Sequence, residues 1–217
     1  MWYTSDLHLG HFNSIKQNGR PFSSLEEMHE VYIQNWNKLI RPKHPVYVLG
    51  DMSMKINYDK MKALFDRLNG QITLIKGNHD EDMKTRKWIE MGFHDVRENC
   101  FQELRGDKGQ KHRVLLSHFP YHPVENYESK NGIVVAKDVD FTADRRYLHK
   151  RVLDDGKTWL IHGHCHTAWK QKGRQINVGV DVWDSKPVHE NQLDKMIEAG
   201  PQDIGLTRPQ EMKEDKS

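Results

Sequence analysis

Ile72-Thr73-Leu74-Ile75-Lys76-Gly77-Asn78-His79-Asp80 is a short apolar run that stops at a glycine and passes at once into an amide, an imidazole and a carboxylate. A continuous β-branched run of this length suits a strand buried on both faces. Gly77 permits a tight turn of the backbone, and Asn78 offers an amide oxygen. Asp80 is placed to orient the neighbouring imidazole, His79. A plainer reading also stands, with Asn78 capping a helix that begins near Glu81.

The same layout recurs on both sides of this stretch. Apolar runs at 2–5, 46–49, 113–116 and 158–161 lead into Asp6-Leu7-His8, Gly50-Asp51, Ser117-His118 and His162-Gly163-His164-Cys165-His166. A sixth run covers 175–180. Between the runs lie helical patterns with readable ends. Ser24-Leu25-Glu26-Glu27 has the form of a capping box, with Leu25, Met28, Tyr32, Trp36 and Leu39 following at near-helical spacing. Further helices are expected over 57–69, 81–91, 142–155 and 188–199, four of them closed by glycine. Strands alternating with helices predict an α/β layered domain over 1–200, and the charged, apolar-poor stretch 201–217 reads as a frayed tail. In such folds active groups gather beyond the carboxyl ends of the strands.

Each block has a bland explanation. Asp6 and His8 could cap or form an ion pair, Gly50-Asp51 is a common turn, and an isolated histidine is usually a buried, hydrogen-bonded one. In an extended segment residues two apart point the same way, which would pair Asp6 with His8 and His162 with His164. Metal-binding groups at the ends of five predicted strands are hard to reconcile with five independent accidents.

Composition narrows the class. In 217 residues, 36% hydrophobic, the net charge of +2 advertises no duplex nucleic-acid footprint. A mean hydropathy of −0.86 and the absence of a long apolar run argue against a membrane span. The start, Met1-Trp2-Tyr3-Thr4-Ser5-Asp6, lacks the form of a secretory signal, so a cytoplasmic location is expected. Two cysteines, Cys100 and Cys165, make no disulfide framework, whereas fourteen histidines invite a search for metal sites.

Taken in order, Asp-x-His, Gly-Asp, Gly-Asn-His-Asp, a later His and Gly-His-x-His resemble the calcineurin-like metallophosphoesterases. The resemblance covers about three quarters of the chain, from Asp6 to His164. It implies a four-layer αββα sandwich, two mixed sheets flanked by helices, with a dinuclear metal centre at the strand ends. Carried over residue by residue, Asp6, His8 and His164 would bind the first metal and Asp51 would bridge. Asn78, His118 and His162 would complete the second site, and His79, steered by Asp80, would be the catalytic imidazole. Carboxylate, imidazole and amide ligands without thiolate suit Mn²⁺, which is favoured, or Fe²⁺, Ni²⁺ or Zn²⁺. Two ions roughly 3.5–4 Å apart would share a hydroxide as nucleophile towards phosphorus.

Substrate is less sharply drawn. The family's protein phosphatases follow Gly-Asp with Asp-Arg-Gly, but here Asp51 precedes Met52-Ser53-Met54-Lys55, which lowers a phosphoprotein reading. Asp6-Leu7-His8-Leu9-Gly10-His11 running on to Arg20-Pro21-Phe22, and Asn177 to Trp183, resemble a small bacterial and phage branch. The expected activity is a phosphodiesterase or phosphatase on a small nucleotide-like ester. A metal-dependent nuclease on single-stranded nucleic acid is the alternative, and a non-catalytic protein-binding scaffold ranks below both. His11 would approach substrate or cap a turn; Tyr121 and His122 would rim a pocket or pack a loop. Trp183 would stack on a base or fill core. The basic stretch Arg145, Arg146, His149, Lys150, Arg151 would guide a polyanion or simply be solvated.

Overall fold

A computed structural model of the chain describes residues 1–122, 127–130, 133–136 and 145–205. Strands β1 (Trp2–Thr4), β2 (Pro45–Val48), β3 (Gln71–Ile75) and β4 (Asp95–Arg97) lie side by side in parallel, and β12 (Val188–His189) runs antiparallel beside β1. The second sheet is built on β5 (Asn99–Arg105), β6 (Lys111–Ser117), β9 (Trp159–His162), β10 (Gln171–Gly173), β11 (Gln175–Asn177) and β13 (Gln202–Ile204), in the order β13-β10-β11-β9-β6-β5. Within it β6, β9 and β11 are parallel neighbours. A separate hairpin pairs β7 (Tyr127–Lys130) with β8 (Ile133–Ala136).

Side-chain alternation assigns the faces of the first sheet. Val46, Val48, Ile72 and Leu74 bury themselves among Met28, Tyr32, Trp36, Met61, Phe65, Trp88 and Met91. Those partners belong to helices α2 (Leu25–Leu39), α3 (Tyr58–Phe65) and α4 (Thr85–Met91), which follow the short α1 (Phe12–Gln17). The opposite face sends Tyr3, Leu49 and Ile75 against Leu104, Val114, Leu116, Ile161 and Ile176 of the second sheet, with Leu193 and Ile197 of α5 (Glu190–Glu198) joining them. On the outer face of the second sheet Leu115, Leu160 and Tyr121 pack with Val152. Two mixed sheets flanked by helical layers result, as expected.

Several elements differ from the expectation. Over 142–155 the described part is a 3₁₀ turn, Arg145–Lys150, and not a longer helix. Asp154 and Asp155 explain the stop, because their carboxylates accept from the N–H groups of Gly156, Lys157 and Thr158 and hold the chain in turns. α4 starts only at Thr85, the residues from 79 to 83 forming turns and bends. Val188–His189 is strand, and the helix begins after His189, which caps it in a box with Gln192. Gln202–Ile204, expected in the tail, pairs with β10, while 206–217 lie outside the described residues. β5 was not foreseen: it is an edge strand whose half-exposed Phe101 and inward Gln102, bonded to the Tyr47 hydroxyl, break the polar–apolar alternation that marks a strand with one buried face.

Parallel register is what positions the site. β1, β2 and β3 all finish at one end of the first sheet, and β6 and β9 finish together in the second. Backbone bonds then stitch the emerging loops: Asp6 N–H to Gly50 O and His8 N–H to Asp51 O, both 3.0 Å, Gly163 N–H to His118 O at 3.0 Å, and Val180 N–H to Ser5 O at 3.1 Å.

Candidate metal centre

The loops at this end turn sharply on ligand-type residues. Asp6, His8, Asp51, His164 and His166 all have left-handed backbone, with φ of 58°, 50°, 51°, 69° and 45°. Such conformations cost on the order of 1–3 kcal/mol each and persist only where the surroundings over-determine them. The reason for pairing Asp6 with His8 therefore changes. They do converge, but through two left-handed turns and not through strand alternation. Glycines make room for this crowding. A Cβ at Gly77 would fall on the Asp51 carboxylate, and one at Gly163 on the Ser5 hydroxyl and Asp6.

Asp51 lies at the middle. Its Oδ2 is 3.5 Å from His8 Nε2, 3.5 Å from His118 Nε2 and 4.0 Å from His79 Nε2. On one side, Asp6, His8 and His166 bring one ligand atom each within 4.8 Å of one another. On the other side, Asn78 Oδ1 is 3.2 Å from His118 Nε2 and 3.1 Å from His164 Nδ1, and those two ring nitrogens are 3.3 Å apart. His118 donates its Nδ1–H to Leu49 O at 2.7 Å, which leaves Nε2 with only a lone pair. That lone pair meets an amide oxygen and a carboxylate oxygen, all acceptors. Both ring nitrogens of the buried His8 have no hydrogen-bond partner among the described residues. Converging acceptors around a buried, unpartnered imidazole fit a divalent cation, so the donor set passes that test.

The structure places three of the expected site residues differently. His162 is the last residue of β9, fully buried, with Nδ1 against the carbonyl oxygen of Gly163 at 2.7 Å, and it joins none of the ligand groupings found among the described residues. The strand continues one residue further than expected, pairing His162 with Asn177 and turning its side chain into the interior. The imidazoles that reach the centre are His164, on the Asn78 and His118 side, and His166, on the Asp6 and His8 side. His166 was missed, although Gly163-His164-Cys165-His166 spells Gly-His-x-His starting one residue later. Third, Asp80 does not steer the His79 ring. Its buried carboxylate accepts from the N–H groups of Asp51 at 2.7 Å, Gly77 at 2.8 Å and Met52 at 3.0 Å, clamping two loops together.

Burial and neighbouring charge set the ionisation. Burial, reinforced by His166 and Arg20, holds His8 well below the usual imidazole range, keeping it in its ligating form. Burial pushes the Asp6 carboxyl up, against the pull of His166 and His118. Asp80 is pushed up to about 7 by burial and then by Asp51, while the N–H groups of Gly77 and Asp51 oppose the rise. His162 drops to about 3 through burial. For His166 burial works downward, but the Asp6 and Asp181 carboxylates outweigh it and raise the ring. Burial pushes the Cys165 thiol well up, so it stays protonated and unsuited to ligation.

A cavity of about 680 Å³ opens over the centre. Asp51, Asn78, His79, His164 and His166 contribute to its lining. His11, Lys55, Tyr147, Arg151, Trp169 and Lys172 also line it. His11 is the N-cap residue of α1 and closes its turn through the backbone, without a side-chain capping bond, and it contributes to the cavity lining. Tyr121 is a packed residue that also borders the cavity, its hydroxyl donating to Thr158 O at 3.0 Å. His122 is half-buried and its N–H donates to Val152 O. Trp183 takes the core-filling role, donating Nε1–H to Asn177 O at 2.8 Å; the cavity tryptophan is Trp169. The side chains of Arg145 and Arg146 lie outside the described residues.

An α/β sandwich that gathers carboxylate, amide and imidazole groups around a solvent-open cavity defines a metal-dependent hydrolase. Residues 1–194 match the model of the calcineurin-like phosphoesterases, and the chain belongs to that family of metal-dependent phosphoesterases. It is 32% identical over 208 residues to an uncharacterized protein of Methanocaldococcus jannaschii, covering 92% of each chain. It is 31% identical over 198 residues to the gene 66 protein of Mycobacterium phage L5, covering 84% of this chain and 86% of that one. Among solved structures, a protein of unknown function from Aquifex aeolicus aligns with a TM-score of 0.59 and 25% identity over 90% of this chain and 98% of that one. No helix among the described residues is long and apolar enough to cross a membrane.

Proposed function

We propose that the chain hydrolyses a small nucleotide-like phosphate ester at a two-metal centre, with Asp51 between the ions. Asp6, His8 and His166 would hold one ion, and Asn78, His118 and His164 the other. The observation carrying this reading is Asp51 Oδ2, which stands 3.5 Å from an imidazole nitrogen of each group. When bound, the two ions supply Lewis acidity towards the phosphate oxygens and lower the pKa of water to yield the nucleophile. Mn²⁺ is the preferred metal, with Fe²⁺, Ni²⁺ or Zn²⁺ able to use the same donors.

The protein's own part is orientation and proton handling. His79 lines the cavity; its backbone N–H donates to Asp51 Oδ1 at 2.9 Å, which fixes its main chain beside Asp51, and its ring Nε2 lies 4.0 Å from Asp51 Oδ2. From there it protonates the departing alkoxide, a role worth roughly 10²–10⁴-fold for a well-placed acid. Asp80 keeps the loops of Asp51 and Asn78 in contact, acting as a positioning group. Lys55, Arg151 and Lys172 in the lining offer positive charge to an anionic substrate, and Trp169 and Tyr147 offer flat apolar surface. A pocket of this size exceeds what inorganic phosphate fills and suits a nucleotide.

The test is a substrate panel on protein stripped by chelation and reloaded with single metals. It compares p-nitrophenyl phosphate, bis-p-nitrophenyl phosphate, cyclic nucleotides and single-stranded oligonucleotides. Metal-restored turnover highest on nucleotides is the expected result. Preference for oligonucleotides would turn the reading to the nuclease, and no turnover on any substrate would reject both.

A further inference from the structure

Two stretches of the sequence contribute no ligand to the metal centre as described so far: Arg20-Pro21-Phe22 and Asn177 to Trp183. The fold brings them together. Arg20, 7% exposed, forks onto Asp181, with Nε–H to Oδ1 at 2.7 Å and an Nη2–H to Oδ2 at 3.1 Å. Its remaining donors go to the Asp-x-His loop: Nη2–H to Asp6 O at 2.7 Å and Nη1–H to Leu7 O at 3.1 Å, with Ser14 Oγ also 3.1 Å from Nη1. Asp181 Oδ2 then lies 2.8 Å from His166 Nδ1.

We infer that Arg20 and Asp181 form a positioning relay that fixes His166 for the ion held with Asp6 and His8, an inference that rests on the two-metal reading above. A buried guanidinium is worth its desolvation only if most of its donors are used, and here they are shared between a carboxylate and two backbone carbonyls. Those carbonyls belong to the segment from Asp6 to His8, in which both named residues have left-handed backbone. One cation thus over-determines a strained loop of the first sheet and, through Asp181, orients a ring carried by a loop of the second.

The chemistry at His166 follows from Asp181. Asn18 Nδ2 also lies 3.1 Å from Nδ1, but a single ring nitrogen cannot donate to Asp181 and accept from Asn18 at once. The charged acceptor at the shorter distance prevails, so Nδ1 carries the proton and Nε2 presents its lone pair. A carboxylate behind an imidazole in this way fixes both its tautomer and its ring plane and raises its basicity towards a metal. On the opposite side of Asp51, His118 receives only a backbone carbonyl, so the relay distinguishes one half of the centre from the other.

The test titrates stripped wild-type, Asp181→Asn and Arg20→Ala proteins with Mn²⁺ by calorimetry and EPR, after circular dichroism confirms each fold. Wild type is expected to take two ions and give an exchange-coupled signal. Asp181→Asn should keep one ion at wild-type affinity and bind the other roughly 10–100-fold more weakly. Arg20→Ala should lose the same ion and regain it when guanidinium is added, a rescue that a general loss of packing would not show. Two ions held at wild-type affinity by Asp181→Asn would overturn the relay. If either variant fails to fold, the Zn²⁺-loaded wild type decides by long-range ¹H–¹⁵N NMR. A His166 ring protonated at Nδ1 supports the relay, and one protonated at Nε2 overturns it. A wild type that binds no ion would reject the two-metal reading itself, a separable outcome.

Discussion

The two halves of the centre are built by different means. His118 is aligned by a main-chain carbonyl, Leu49 O, so its orientation is inherited from the register of β2 and from the loop that follows. His166 is aligned by a side chain, Asp181, itself held by a buried Arg20 drawn from the far end of α1. A backbone-held imidazole can be displaced only by moving a strand. A carboxylate-held imidazole can be retuned by a single substitution without disturbing either sheet. The Asn78 and His118 half is therefore the rigid one, and the Asp6, His8 and His166 half is the adjustable one.

The largest effect is expected where the halves meet. Asp51→Asn removes the oxygen close to both groups and should abolish binding of both ions, measured by metal analysis, together with turnover. Retention of two ions would mean that the halves assemble independently. His79→Ala comes next: it should keep both ions and lower kcat by roughly 10²–10⁴-fold. An unchanged kcat would remove His79 from proton transfer.

Substitutions within the histidine run separate the halves. His166→Gln should lose the ion beside Asp6, and His164→Gln the ion beside Asn78, whereas His162→Gln should keep both. Its cost is to the fold, about 1–3 kcal/mol for disturbing a buried, hydrogen-bonded ring, read from urea unfolding. A His162 variant that lost a metal would restore the assignment drawn from the sequence. The smallest effect concerns pH. In the metal-free protein the raised His166 value means that its charged ring stabilises the fold below the ordinary value of 6.5. This contribution fades as pH rises through the raised value. Metal capture displaces that proton, so affinity at this half should climb with pH across the same window. Calorimetry in two buffers of different ionisation enthalpy should report proton uptake by buffer, and equal heats would contradict it.

Much of this was legible in the amino-acid order, for physical reasons. Buried parallel strands need continuous apolar runs, so β1, β2, β3, β6 and β9 announce themselves, and parallel register sends their ends to one place. That register explains why Asp6, His8, Asp51, Asn78, His118 and His164 lie at one end of the sheets; their reading as ligands came from the family resemblance. The edge strand β5 and the 3₁₀ turn at Arg145–Lys150 were not legible, because exposure and turn-forming aspartates override apolar periodicity there. The difference at His162 has a more instructive cause. Pairing residues two apart assumes extended backbone, yet β9 holds His162 inside while His164 and His166 sit in left-handed turns beyond it. Asp80 was misread likewise, since three backbone N–H donors were invisible until two loops met.

The most direct test of the whole account is a crystal of Mn²⁺-loaded protein examined by anomalous scattering. Two peaks flanking Asp51 are predicted, one bound by His166 with Asp6 and His8, the other by His164 with Asn78 and His118. A single peak, or a peak ligated by His162, would contradict it.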